Sequence, residues 1–188
     1  MTKSRLIAAV VLSLFCLPLS PTLALGEPAP VLSHKAHLKF DTTTNSVVVE
    51  DHVVLPPGIE ELRLGAGFVL TKITSVDNAK VDIGSAVELA EDENGPYQRL
   101  VVQRMGMRNG GLLRLNYEGT FLESVKDVVF SRENVGGEIT ATISEEGIYL
   151  SSSAEWMAWA EGTMAVFEMA FDTPAGFETV TQGERTWH

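Results

Sequence analysis

The chain has 188 residues, of which 45% are apolar and 21% charged. That composition leaves room for one well-buried domain and excludes a mostly disordered chain, a collagen-like repeat and a multi-pass membrane protein. Lys and Arg number 14 against 25 Asp and Glu, for a formal net charge of −11, a balance that repels phosphate backbones and excludes nucleic acid as the main partner.

At the amino terminus Lys3 and Arg5 precede an uncharged stretch from Leu6 to Leu19 with Pro18 near its end, followed by Pro21 and the small-residue pattern Ala24, Leu25, Gly26. This layout predicts a cleaved secretory signal over residues 1–26, and hence an exported protein, periplasmic or extracellular. The apolar run is too short to serve as a permanent membrane anchor. The only cysteine, Cys16, lies inside this segment. The mature chain is therefore expected to depend on its apolar core, with no disulfide, thiol nucleophile or Cys-ligated zinc.

Residues 27–33 contain Pro28 and Pro30 and read as a solvated leader, with a single β domain expected over 34–188. From His34 onward, short runs of alternating apolar and polar residues recur about every ten residues, the spacing of an all-β sandwich or barrel. In chain order they fall at His37 to Phe40, Val47 to Leu55, Leu62 to Leu64, Tyr97 to Gln103, Leu113 to Tyr117, Ile139 to Ile143, Gly147 to Leu150 and Phe167 to Phe171. Leu113, Leu115 and Tyr117 share one face, and Phe167, Met169 and Phe171 another, a pattern that a helix would scatter. Ser85 to Glu93 reads either as a helix or as the first arm of a hairpin closed by Asn94 and Gly95. Asn109, Gly110 and Gly111 carry the residue types of a second hairpin turn, and Gly65, Ala66 and Gly67 read as a loop or strand bend.

Catalytic patterns are scarce. None of His34, His37, His52 and His188 begins a His-Glu-x-x-His zinc helix. His34 and His37, three apart on a strand, point to opposite faces and cannot share a metal, so they read as a solvated strand start. Adjacent carboxylates such as Glu50 with Asp51, Glu60 with Glu61 and Glu145 with Glu146 likewise point apart and read as surface charge. Arg99, Arg104, Arg108 and Arg114 are expected to pair across strands with carboxylates. Ser151 to Ser153 read as a polar loop. No catalytic or metal-ligating residue is assigned.

The richest local feature runs from Gly147 to Trp159. Tyr149, Trp156 and Trp159 place amphipathic rings near a polar loop, as ligand grooves often do, with core packing as the competing explanation. Glu155 beside them is suited to a cationic group such as a peptide amine. These four residues are the candidate ligand-binding set.

Taken in order, His37-Leu-Lys-Phe-Asp, Val53-Val-Leu-Pro, Leu113-Arg-Leu-Asn-Tyr-Glu-Gly, Gly147-Ile-Tyr-Leu-Ser, Phe171-Asp-Thr-Pro-Ala-Gly-Phe and Val180-Thr-Gln-Gly-Glu resemble the amino-terminal domain of the alanyl aminopeptidase-like zinc metallopeptidases, the M-one family. The resemblance covers about residues 34 to 184. It implies a mostly antiparallel, saddle-like two-layer β structure that packs on a thermolysin-like catalytic domain and helps wall its substrate cleft. The family's zinc helix and its Gly-x-Met-Glu-Asn strand do not occur here, and Gly106-Met-Arg-Asn departs from that strand at Arg108. Where family members place a Thr followed by Gln or Glu to touch the substrate amine, this sequence has Trp156-Met-Ala-Trp-Ala. The sequence therefore reads as a non-catalytic, apparently truncated domain of a secreted zinc aminopeptidase-like protein. Zinc would belong only to a catalytic metallopeptidase domain absent from the chain, and that domain or a peptide substrate would be the partner. The alternative is a free-standing secreted β-sandwich module that binds carbohydrate or protein.

Overall fold

A computed structural model describes residues 28–75, 79–122, 140–181, 184 and 186. The export signal read at residues 1–26 lies outside them, as do Ile139 and His188. Among the described residues no helix is long and apolar enough to cross a membrane.

Ten strands make up most of the described chain: β1 (Val31–Asp41), β2 (Ser46–Leu55), β3 (Glu61–Gly65), β4 (Phe68–Thr74), β5 (Val87–Asp92), β6 (Gly95–Val101), β7 (Gly111–Thr120), β8 (Ala141–Ile143), β9 (Ile148–Leu150) and β10 (Met164–Asp172). A five-stranded sheet runs in the order β10, β1, β2, β7, β4, a three-stranded sheet in the order β3, β6, β5, and β8 pairs with β9. All pairings are antiparallel except β1 with β10. The fold is an all-β sandwich.

The alternation of side chains decides what each layer buries. On β1, Leu32, His34, Ala36, Leu38 and Phe40 face inward while Val31, Ser33, Lys35, His37 and Lys39 face out. On β2 the inward set is Val47, Val49, Asp51, Val53 and Leu55, and on β7 it includes Leu113, Leu115 and Tyr117. Leu62 and Leu64 of β3 and Leu100 of β6 meet them from the smaller sheet, and all three are fully buried. Each such buried branched side chain stabilises the fold by roughly 1.5–3 kcal/mol.

Several expectations change in the structure. β1 begins at Val31, and Leu32 is fully buried, so the end of the segment read as a leader belongs to the sheet. Its pairing partner comes from far away in sequence: Val31 lies opposite Met164, whose N–H donates to the Pro30 carbonyl at 2.9 Å. β4 was not legible in the sequence, because a bulge between Leu70 and Lys72 interrupts its alternation.

Ser85 to Glu93 resolves into one helical turn, α1 (Ile83–Ala86), followed by β5. The hairpin expected at Asn94 and Gly95 forms, with Glu93 and Asn94 as its two loop residues and Gly95 pairing back with Asp92 as the first residue of β6. The Asn109 to Gly111 turn closes no hairpin. After β6 the chain makes a 3-10 turn at Val102–Met105, buries Val102, Met105 and Met107, and crosses to β7 in the other sheet. Gly110 is needed for a different reason from the one expected. Its φ is +74°, and a Cβ there would lie 2.4 Å from the Leu55 carbonyl oxygen.

Candidate functional site

The site begins with Arg63, a cation in the middle of the buried Leu62 and Leu64 of β3. Alternation turns its side chain away from the core side of that strand, and neighbours from three parts of the chain enclose it until it is only 14% exposed. Arg63 Nη1 donates to Asp92 Oδ2 at 2.6 Å, and Nη2 lies 3.2 Å from Glu155 Oε1. The guanidinium sits over the Tyr97 ring at 3.6 Å from the centroid and over the Trp159 ring at 5.1 Å, within the range of cation–π attraction. Burial alone would lower its pKa. The Asp92 hydrogen bond and the charges of Glu155 and Asp92 more than offset that and raise it, so the group stays charged.

Backbone pairing fixes the same region. Arg63 and Trp159 exchange N–H to carbonyl bonds of 2.7 and 3.0 Å, and Gly65 N–H donates to the Glu155 carbonyl at 2.9 Å. The loop packs so closely on β3 that a Cβ on Gly65 would lie 2.2 Å from the Ala154 carbonyl oxygen. From the core, the Tyr117 hydroxyl donates to the Trp156 carbonyl at 3.0 Å. Burial first, and then the charge of Asp51, raise the Tyr117 pKa well above its ordinary value, so it acts as a permanent donor. Glu155 itself has φ +44°, an uncommon conformation for a residue with a side chain, and its carboxylate is paired with Arg63.

Beside this cluster opens a cleft of about 830 Å³, lined by Arg63, Glu155, Trp156 and Trp159 together with the Gly65–Gly67 link and the 3-10 turn at Ser152–Ala154. The volume falls within the range of small-molecule sites. Three of the four residues picked from the sequence thus meet at one cleft. Tyr149 does not line it; it stands half-exposed on β9, across from Thr142. Glu155 has a cation of the chain itself, Arg63, as its partner. Trp156 lines the cleft and is also partly buried against the core.

Other sequence expectations can be placed as well. Arg99 pairs with Glu88, directly opposite it across β5 and β6, and Arg104 pairs with the same carboxylate. His34 is not part of a solvated strand start: it is 2% exposed and bonded to Asp51. Asp51 is not surface charge either, because it occupies an inward position of β2 and is fully buried, whereas its neighbour Glu50 is exposed. Among the described residues no group of three or more His, Cys, Asp or Glu is arranged to hold a metal ion.

No protein-family model matches the chain, and no curated protein matches it in sequence. Solved structures give low-level likenesses. Native yeast LTA4 hydrolase shares 11% identity at a TM-score of 0.35, over 49% of this chain and 14% of that one. A two-domain M1 zinc metallopeptidase mutant bound to L-tryptophan shares 17% at 0.35, over 84% and 36%. The seventh ScaB type I cohesin from Pseudobacteroides cellulosolvens shares 12% at 0.29, over 80% and 98%. The chain therefore spans a minor part of the first two, and what it does has to be argued from its own residues.

Arg63 and its partners Asp92 and Tyr97 were not picked out from the sequence, whereas Glu155 and Trp159 were. The signal was a lone Arg between two core leucines, a placement that requires carboxylates nearby because a buried cation is costly when unpaired. Which carboxylates answer it depends on the β5–β6 turn and the Ser152–Trp159 loop, which lie far from Arg63 in sequence.

Proposed function

We propose that this chain is a non-catalytic domain that acts through the shape of its Arg63–Trp159 cleft, walling the substrate cleft of a zinc aminopeptidase-like protein whose catalytic domain lies outside these residues. The observation that carries the non-catalytic part is the use of Arg63. It engages Asp92 and Glu155 and stacks on Tyr97 and Trp159, so the charged groups lining the cleft neutralise one another rather than standing ready as acid, base or nucleophile. What the cleft offers a ligand is a stiff aromatic wall. The family context comes from the ordered succession of sequence motifs, and export from the pattern of residues 1–26.

The test has two arms. Reading the transcript beyond the His188 codon is expected to reveal a His-Glu-x-x-His segment with a distal Glu. A stop codon there, with a stable product, overturns the multidomain reading in favour of a free-standing binding module. Purified chain is expected to release no dye from aminoacyl substrates with zinc present; measurable turnover overturns the non-catalytic assignment.

The same cleft supports the module reading through Trp156 and Trp159. In that case Trp159→Ala abolishes retention on a polysaccharide or protein column while the fold persists.

A further inference from the structure

The outermost strand of the five-stranded sheet, β10, pairs with no strand along its outer edge among the described residues, and on its core face the chain's own residues 173–181 line a groove with it. No residue of β10 is buried, and Met164, Val166 and Phe167 are 63%, 54% and 51% exposed. The register with β1 places Ala165, Phe167, Met169 and Phe171 beside the buried Leu32, His34, Ala36 and Leu38, so the core face of the sheet continues onto β10 beyond the reach of the smaller sheet. Beneath it lies a groove of about 1140 Å³ with an apolar floor that includes Leu38, Ile148, Leu150, Met169 and Phe171. Its charged lining residues, Glu145, Glu146 and Glu178, are all acidic.

The two edges of this sheet differ. β4 at the far edge carries a bulge, Lys72 and a bridge from Thr74 to Lys80, devices that discourage strand addition. Within β10 there is no bulge or proline, and its two charged residues are engaged sideways by β1: Glu168 by Lys35 at 2.6 Å and Asp172 by His37 at 3.0 Å. In a parallel ladder alternate residues bond to one neighbour. Because Met164 N–H bonds to the Pro30 carbonyl, the backbone groups of Ala165, Phe167, Met169 and Phe171 point to the open edge.

We propose that β10 and the groove beneath it take up an extended segment of a partner polypeptide, apolar and basic at alternate positions, added as a further strand. The backbone edge supplies affinity, the groove receives the apolar side chains, and the acidic surroundings select the sign of charge. A second copy of this chain is the poorer occupant, since it would bring Glu168 and Asp172 and a net charge of −11 against the same acidic surface. This surface adjoins the Arg63 cleft, with Ser152, Trp156 and Phe167 lining both, but the proposal rests on the backbone edge of β10 and not on the function assigned to that cleft.

The probe is a fluorescein-labelled peptide, Lys-Val-Lys-Ile-Lys-Val-Lys, titrated with the purified full chain and read by anisotropy. The expected result is binding at least tenfold tighter than for the peptide with Glu in place of Lys or for one with the same residues in blocks. Ala165→Pro removes an outward N–H at an exposed edge position, where proline is tolerated, and is expected to weaken binding at least tenfold with an unchanged melt and circular dichroism spectrum. Met169→Lys, which sets an ammonium in the groove, is the second variant and is expected to do the same. Glu145→Lys is expected to weaken binding and reduce its salt dependence. Equal binding of the basic and acidic peptides, or full binding by both Ala165→Pro and Met169→Lys, overturns the proposal. So does a concentration-dependent dimer that Ala165→Pro abolishes in a chain that ignores the peptide.

Discussion

His34 Nδ1 lies 2.9 Å from Asp51 Oδ2, a bond between neighbouring strands inside an otherwise apolar face. The pair is shut in by Phe167, whose ring stacks on the imidazole with centroids 5.1 Å apart. His34 Nε2 and Asp51 Oδ1 have no protein partner, so each residue depends on the other for its single hydrogen bond. Removing only one partner leaves the other stranded, whereas replacing both removes the demand. Asp51→Ala is expected to destabilise the domain by about 3–5 kcal/mol, and the double change His34→Leu with Asp51→Leu to lie much closer to wild type. Urea unfolding of the three proteins checks this; equal losses for the single and double variants would contradict it.

Gly65 is expected to tolerate no side chain. A Cβ would meet the Ala154 carbonyl at 2.2 Å, and a backbone oxygen cannot swing aside as a side chain can. Gly65→Ala should cost at least the 1–3 kcal/mol typical of overpacking. It should also loosen the Glu155 and Trp159 side of the cleft, which tryptophan emission would report. Gly147→Ala, with nothing within 4 Å of the added carbon, is the control that should leave both readouts unchanged.

Arg63→Lys keeps the charge but loses the planar fork that reaches Asp92 and Glu155 together and stacks on Tyr97 and Trp159. A loss of about 1–2 kcal/mol is expected, with a changed Trp159 environment. An unchanged denaturation midpoint and emission spectrum would show that positive charge alone suffices there.

Acid should weaken the fold through carboxylates held below their ordinary range. Asp92 is lowered by the Arg63 hydrogen bond and then by the Asn94 amide, Glu88 by Arg99 and then Arg104, and Asp41 by the amides of Thr43 and Thr44. Depressed native pKa values mean that this stability is complete above the unfolded pKa values and is lost as pH falls through the native ones. The urea midpoint should therefore be flat from pH 7 to 5 with respect to these groups and fall below about pH 4.5. Added salt should flatten the parts due to Glu88 and Asp92, which rest on arginines, more than the part due to Asp41, which rests on backbone amides. A midpoint that rises on acidification through this range would refute the sign.

Much of the sandwich was legible because a strand exposes one side chain in two to each face. Val47, Val49, Val53 and Leu55, or Leu113, Leu115 and Tyr117, could be assigned to an interior before any partner strand was known. The same rule, applied without exception to polar residues, would also have placed His34 and Asp51 inside; they were read as solvated because charge was weighed above position. β4 escaped because its bulge breaks the repeat, and the turn at Gly110 was assigned to a hairpin because glycine reports a backbone angle but not where the chain goes next.

The sequence by itself determined the strand class, the acidic surface, the β5–β6 turn and the clustering of Glu155, Trp156 and Trp159 in one short segment, because each of these depends on residues close together along the chain. Only the tertiary structure decided that Arg63 occupies Glu155, that Tyr149 stands apart from the cleft and that β10 lies beside β1 with an open edge. Those outcomes depend on which segments become neighbours across long stretches of chain, as Val31 and Met164 do. Local side-chain preferences do not contain that information, because pairing is chosen by the burial and hydrogen bonding of the whole sheet.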